Sequence, residues 1–387
     1  MGKPLRAMAP YEPTSSTRAV SMDVESVLHM NGGLGETSYA LNSSLQKKTL
    51  EVMKHIIVDS AVKTCVAKAA RERFTIVDLG CSSGTNSLLL VGEIIRAIHE
   101  RAQQWATTAP EFMVFLNDLP TNDFNAIFLT FPDFTNKLKL SVELQGGCPP
   151  SVCLAGLPGS FYGRLFPTNT LDFVCSFYSM HWLSQVPEGL VDGSGMSINK
   201  GKTYISSTSP PAVLSAYFNQ FRKDFSVFLK SRSAELQFGG RIGIAMLGRE
   251  SEDHSDRSTT ILWDVLDQSF AILASQEMID EEKVNEYDVP FYAPSRKEIE
   301  SEVLRDGSFT IESMETFELK TSTGDPKEDA RITSMAVRAI QESMISHHFG
   351  EEILDPLFQI YNGLLGEVMV KEETTSSHLL VVLKKSS

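Results

Sequence analysis

The residues Asp78-Leu79-Gly80-Cys81-Ser82-Ser83-Gly84-Thr85-Asn86 close a short apolar run, 74–79, and lead into an amphipathic stretch. Glycine lets a backbone turn tightly and approach a ligand, and a helix that follows offers unpaired N–H groups at its N-terminus. The segment reads as a ligand loop of nucleotide type. Its Gly80, Ser82 and Gly84 also match Gly-x-Ser-x-Gly, in which Ser82 would be a hydrolase nucleophile. Three features oppose that alternative. The match sits on the first evident strand, residues 29–33 (HMNGG) are a poor approximation to an oxyanion loop, and the partners would be scattered candidates such as His254, His347 or His378. A dinucleotide site is disfavoured as well, because Gly-x-Gly-x-x-Gly is absent after Leu79 and no acidic residue stands at a strand end about 20 positions on. Asp118, further along, ends a second apolar run; it can accept two hydrogen bonds from a ribose diol or simply cap the turn at 120–123.

These residues need elements to hold them. Apolar runs bounded by Gly, Pro or Asn predict strands at 74–79, 111–117, 151–156, 171–176, 241–247, 308–319 and 378–383. Apolar residues at three- and four-residue spacing predict a helix over 87–102. Strand alternating with helix implies a mainly parallel sheet covered on both faces. Five such units followed by two terminal strands suit a seven-stranded doubly wound α/β sheet with an antiparallel final strand. Gly239-Gly240 before 241–247 is ordinary turn chemistry on its own. Residues 255–306 and 330–370 lack the alternation and read as a helical cap over the carboxyl ends of the strands, where open α/β sheets bind ligands. The core would then comprise 22–254, 307–329 and 371–387, with 1–21 a disordered extension.

Composition narrows the partners. The chain has 387 residues, 42% of them hydrophobic, with 35 basic against 49 acidic side chains and a net charge of -14. That charge argues against nucleic acid and anionic membranes. The five cysteines form no C-x-x-C pair, which disfavours a zinc site or disulfide framework. No apolar run reaches the roughly 20 residues of a membrane helix, and the first 21 residues lack a secretory apolar core. A cytoplasmic protein is the expectation.

The most specific stretch is 30–46 (MNGGLGETSYALNSSLQ). Together with 78–86, 115–120 (FLNDLP), 122–125 (NDFN), 156–167 (GLPGSFYGRLFP), 179–187 (SMHWLSQVP) and 292–295 (YAPS), it resembles the SABATH family of plant methyltransferases. Those enzymes act on salicylate, benzoate, jasmonate, indole-acetate and xanthine-type substrates. The resemblance spans about 22–385 and implies a class I, Rossmann-like methyltransferase using S-adenosylmethionine, with a homodimer as the common assembly. It would place Tyr39, Ser43, Cys81, Asn86, Asp118, Leu119, Ser160 and Phe161 around that cofactor, with Asp118 on the ribose, Ser160 and Phe161 at the adenine, and Asp78 near the methionine end. Gln46 and Trp182 would donate hydrogen bonds to the substrate carboxylate. Indole N–H is donor-only and both groups are neutral, so they orient an anion without neutralising it. Tyr178, His181, Leu262, Trp263, Tyr292 and Val337 match or approximately align with pocket positions, His181 being a modest acid–base aid for a nitrogen or thiol nucleophile.

The aromatic residues among these favour a flat, ring-bearing acid such as benzoate, salicylate or cinnamate. His181 stands where some salicylate-preferring relatives carry Met, and Asn31 replaces a basic residue of some members, so salicylate specificity does not follow. Jasmonate, indole-acetate, a xanthine nitrogen and a thiol stay open. Some relatives carry Mg2+, and Asn199, Asn285, Tyr287 and Asp288 align loosely with that assignment. Outside the methyltransferase reading stand the Ser82 hydrolase and a non-catalytic protein that binds a small acid.

Overall fold

A computed structural model describes residues 22–386 apart from 34, 68–71, 106, 145–147, 321 and 373; the expected extension 1–21 lies outside the described residues. Short, nearly unbroken apolar runs suit strands covered on both faces, and the chain lays down β1 (Arg73–Leu79), β2 (Glu111–Asp118), β3 (Val152–Pro158), β4 (Leu171–Phe177), β5 (Leu236–Leu247), β6 (Phe309–Lys320) and β7 (Thr375–Lys385). They form one seven-stranded sheet in the order β3-β2-β1-β4-β5-β7-β6. β1 to β5 are parallel, whereas β7 pairs antiparallel with both β5 and β6. The final strand alone runs opposite to the other six. This is the seven-stranded doubly wound sheet with an antiparallel final strand that the sequence predicts.

The helices, in chain order, are α1 (Val24–Val27), α2 (Tyr39–Asn42), α3 (Ser44–Val66), α4 (Asn86–Gln104), α5 (Phe124–Glu143), α6 (Pro211–Glu235), α7 (Arg257–Ser275), α8 (Glu281–Asn285), α9 (Arg296–Asp306), α10 (Pro326–Phe349) and α11 (Leu354–Lys371). Successive strand residues point to opposite faces, and each face has its own apolar layer. Phe74, Ile76, Phe173, Cys175 and Ala245 meet Met53 and Ile57 of α3 and Ile94 and Ile95 of α4. Val77, Leu79, Val174, Ile242 and Ile244 face the other way, onto Phe221, Phe225 and Phe228 of α6 and onto residues of α7, α10 and α11. Helices α7, α10 and α11 pack on one another, while α9 lies against α6 and β6.

Sheet order reverses between β1 and β4, which are neighbours although β2 and β3 intervene in sequence. Loops leaving that pair diverge and open a crevice at the strands' carboxyl ends. One difference from the expected elements is local. β5 begins at Leu236, and its pairing with β4 shifts register between Leu171 and Phe173, so Gly239 and Gly240 lie within an irregular strand rather than before it. A Cβ on Gly240 would sit 2.9 Å from the Gln237 carbonyl oxygen and 3.0 Å from that of Asp172; the bulge accepts only glycine there.

Candidate active site

β1 ends in a turn that the backbone of β2 holds shut. The N–H groups of Gly80 and Cys81 both donate to the Asn117 carbonyl, at 2.8 and 2.9 Å. Gly80 has φ +79, and a Cβ there would lie 2.2 Å from Cβ of Ser179, on the loop after β4. The turn therefore brings the ends of β1 and β4 into contact. Ser82, at φ 54, donates its N–H to Oδ2 of Asp118 at 2.7 Å, and Leu119 N–H reaches Oδ1 at 2.8 Å. Asn122 donates to the Ser82 carbonyl at 2.9 Å, and the Asn86 amide, at the start of α4, donates to Ser43 Oγ at 3.2 Å.

Tyr39, Gln46, Asp78, Cys81, Asn86 and Phe177 line a recess beside this turn. Removal from water raises the carboxyls of Asp78 and Asp118, each to about 6, against hydrogen bonds that pull them down. Burial also raises the Tyr39 phenol, helped by the charges of Asp118 and Asp78. Among the described residues neither carboxylate pairs with a lysine or arginine. Two partly desolvated anions beside one recess suit a ligand that brings cationic groups and a diol. The Gln46 carboxamide oxygen and the Ser82 hydroxyl are buried there without hydrogen-bond partners. A serine nucleophile needs a base within hydrogen-bond reach. Instead His254 lies against Glu298, His378 bonds Tyr178 and Ser376, and His347 is exposed. No Ser82–histidine couple forms among the described residues.

β3 delivers Ser160 and Phe161 to the same crevice. Asn117 Nδ2 holds the carbonyls of Leu157 and Gly159, each at 2.8 Å, and Gly159 N–H donates to the Asp118 carbonyl. The Phe161 ring lies 3.7 Å from where a Gly80 Cβ would be. Beneath this loop is an ion pair that the sequence reading missed. Arg232 and Glu235 of α6 are fully buried and bond each other at 2.7 Å. Arg232 also donates to the carbonyls of Phe161 and Gly163, at 2.9 and 2.8 Å, and Glu235 accepts the N–H groups of Leu165 and Phe166. The available signal was two opposite charges three apart, one turn after the aromatic run of Phe221, Phe225 and Phe228.

After β4 the chain presents Tyr178, His181 and Trp182. The rings of Tyr178 and His181 are 6.0 Å apart, and those of His181 and Trp182 5.7 Å. His181 Nδ1 accepts the Leu247 N–H at 3.3 Å, and burial lowers the imidazole to about 3, so it is neutral at pH 7. The ring that joins Trp182, His181 and Trp263 is Phe291, at 5.7, 5.2 and 5.2 Å, with Tyr204 beside it. Neither Phe291 nor Tyr204 was expected. Tyr292, which was, is fully buried: it stacks on Phe221, passes under the Arg249 guanidinium and donates its hydroxyl to Glu298 at 2.8 Å. Leu262 and Val337 are partly buried at the edge of the larger apolar layer.

The residues expected to hold Mg2+ do not fit that ion. Oδ1 of Asn285 accepts the Gly201 N–H at 2.7 Å, and the Asn199 oxygen accepts from Ser209 at 2.7 Å. Tyr287 donates its hydroxyl to Gln341 and packs on Phe270 and Phe349. Asp288 is the single anion of the set, raised to about 7 by burial. Mg2+ demands several free oxygens in octahedral array, and here both amide oxygens already accept hydrogen bonds within the protein, leaving Asp288 as the one carboxylate.

A family model described as SAM-dependent carboxyl methyltransferase matches residues 25–386. Salicylate carboxymethyltransferase of Clarkia breweri is 39% identical over 375 residues, covering 95% of this chain and all of that one. Probable jasmonic acid carboxyl methyltransferase 1 of Theobroma cacao is 41% identical, over 94% of this chain and all of that one. A solved structure of loganic acid methyltransferase with SAH superposes with a TM-score of 0.81 at 33% identity, over 92% of this chain and 99% of that one. A seven-stranded sheet with its final strand reversed, a glycine turn beside the carboxylates of Asp78 and Asp118 and this whole-length similarity agree: the chain belongs to the SAM-dependent carboxyl methyltransferases of the SABATH family.

Proposed function

We propose that this enzyme converts the carboxylate of a small aromatic acid, of benzoate, salicylate or cinnamate type, to its methyl ester. What supports the reading is a recess lined by Asp78 and Ser82, the latter bonded to Asp118, together with an aromatic wall of Trp182, Phe291 and Trp263 from the segments beyond β4; these would be two half-sites. S-adenosylmethionine, when bound, supplies a methyl group on a sulfonium centre. Asp118 would hold the ribose hydroxyls, Asp78 the ammonium end, and Ser160 and Phe161 the adenine, with Tyr39, Ser43, Cys81, Asn86 and Leu119 around them.

Gln46 and Trp182 would orient the acid by neutral hydrogen bonds, leaving charge on the oxygen that reacts. A carboxylic acid of ordinary pKa, about 4, is already ionised at neutral pH, so a general base is unnecessary and neutral His181 need not act as one. Alignment and exclusion of water are then the main contributions of the protein, and well-oriented reactants gain about 7–11 kcal/mol from placement. A layer of α7, α10 and α11 would exclude the water. Jasmonate is the second reading, because two Theobroma cacao relatives named for it, at 41% and 42% identity, are as similar as the salicylate enzyme.

Incubating the enzyme with methyl-labelled S-adenosylmethionine and a panel of aromatic, indolic and fatty acids tests the proposal. A labelled ester of an aromatic acid is the expected product; ester formation only from jasmonate promotes the second reading. Trp182→Phe and Gln46→Ala should each lower turnover about 100-fold while S-adenosylhomocysteine still binds. Lost binding of that product in either variant would refute the division into half-sites.

A further inference from the structure

Tyr162 has no role in the scheme above, yet it stands between the half-sites. Its ring lies 4.7 Å from that of Phe161, the side chain proposed for the adenine. Its hydroxyl donates to the Trp182 carbonyl at 2.5 Å. On either side of Tyr162 the backbone is fixed to α6, because Arg232 holds the carbonyls of residues 161 and 163. The loop is therefore an anchored arm with one phenol reaching across the crevice.

What that phenol grips is a single peptide unit. The carbonyl of Trp182 and the N–H of Leu183 belong to the same plane, and the latter donates to the Pro290 carbonyl at 2.7 Å. Pro290 precedes Phe291, whose ring packs edge-on against Trp182. One end of the peptide is tied to the aromatic wall and the other to the adenine arm. Rotating this plane would swing the indole, and with it the N–H proposed to face the acid. Loss of the phenol would leave a partly buried carbonyl unmatched, so the bond matters to the orientation.

We infer that the Tyr162 hydroxyl couples the two half-sites: a ligand seated on Phe161 fixes the arm, the arm fixes the Trp182 peptide, and the indole N–H is thereby aimed. The inference rests on the proposed roles of Phe161 and Trp182. Tyr162 is a positioning residue and touches neither reacting atom. Coupling between sites is reciprocal, so a filled donor site tightens binding of the acid and the reverse.

The chain has three tryptophans, so Trp105→Phe with Trp263→Phe leaves Trp182 as the sole indole reporter. Titration of that variant with S-adenosylhomocysteine, without any acid, should change the indole emission. Adding Tyr162→Phe should abolish the change while calorimetry finds the S-adenosylhomocysteine affinity kept within about twofold. In the otherwise wild-type enzyme, Tyr162→Phe should raise KM about tenfold for whichever acid of the panel is turned over fastest. An emission change that survives Tyr162→Phe, no change at saturation in the reporter protein, or an unaltered KM would each overturn the coupling. Phe161→Ala separates the two levels: if it leaves the S-adenosylhomocysteine affinity intact, the adenine assignment itself falls.

Discussion

Burial pushes Asp78 and Asp118 up to about 6, a rise that their hydrogen bonds and, for Asp118, the nearby His29 only partly offset. An ordinary aspartate ionises near 4. Between roughly pH 4 and 6 the free folded protein thus binds more protons than the unfolded chain, and these two groups cost stability as pH rises through that window. A ligand with cationic groups favours the ionised forms and expels those protons. Affinity for S-adenosylhomocysteine, which retains an ammonium, should accordingly fall about tenfold from pH 7 to pH 5. Calorimetry at the two pH values checks this, and equal affinities would mean that neither carboxylate faces the ligand. His181 works in the opposite sense. Held neutral by burial, with its pKa lowered to about 3, it contributes stability above pH 6.5 that is lost as pH falls toward 3. Single-residue chemistry was partly legible: the acidic strand ends at 78 and 118 could be read from sequence, but whether Phe291 or Tyr292 faces Trp182 depends on the twist of an irregular segment that no periodicity encodes.

Among the elements, α6 carries more of the site than any motif suggested. Its buried polar residues Gln220, Asp224, Arg232 and Glu235 recur along one face. Asp224 accepts the N–H and hydroxyl of Ser184, at 2.8 and 2.7 Å, and so fixes the loop of Trp182. Arg232 and Glu235 fix the loop of Phe161. Removing one member of a buried ion pair strands the other charge and costs about 3–5 kcal/mol. Arg232→Met should therefore lower the unfolding temperature by several degrees, whereas Lys223→Met on the same helix should not; thermal unfolding followed by circular dichroism distinguishes them. The strands were legible because two-sided burial writes itself as short apolar runs. The start of β5 was not: Gly239 and Gly240 look like a turn, and only the close approach of the Asp172 carbonyl shows that they form a bulge within the strand.

At the scale of the molecule, the site belongs to neither apolar layer alone. Cys81 packs with the layer of α3 and α4, whereas Phe161 and Trp182 pack with that of α6. Sequence order made this arrangement readable, because strand–helix alternation dictates a parallel sheet and its reversal point dictates the crevice. Assembly beyond one chain is a proposal taken from the family: light scattering should give twice the 42.8 kDa of a single chain, and a monomer at working concentration would reject it.

The reversed strand β7 also imposes a schedule on biosynthesis. β6 emerges from the ribosome first, yet it joins the sheet only through β7, which is translated last of the seven strands. Until then the open edge of β5 and the whole of β6 wait unpaired, with the apolar residues Leu379, Val381 and Leu383 still to arrive. A nascent chain stalled upstream of Thr375 would leave that edge open to pairing with other chains.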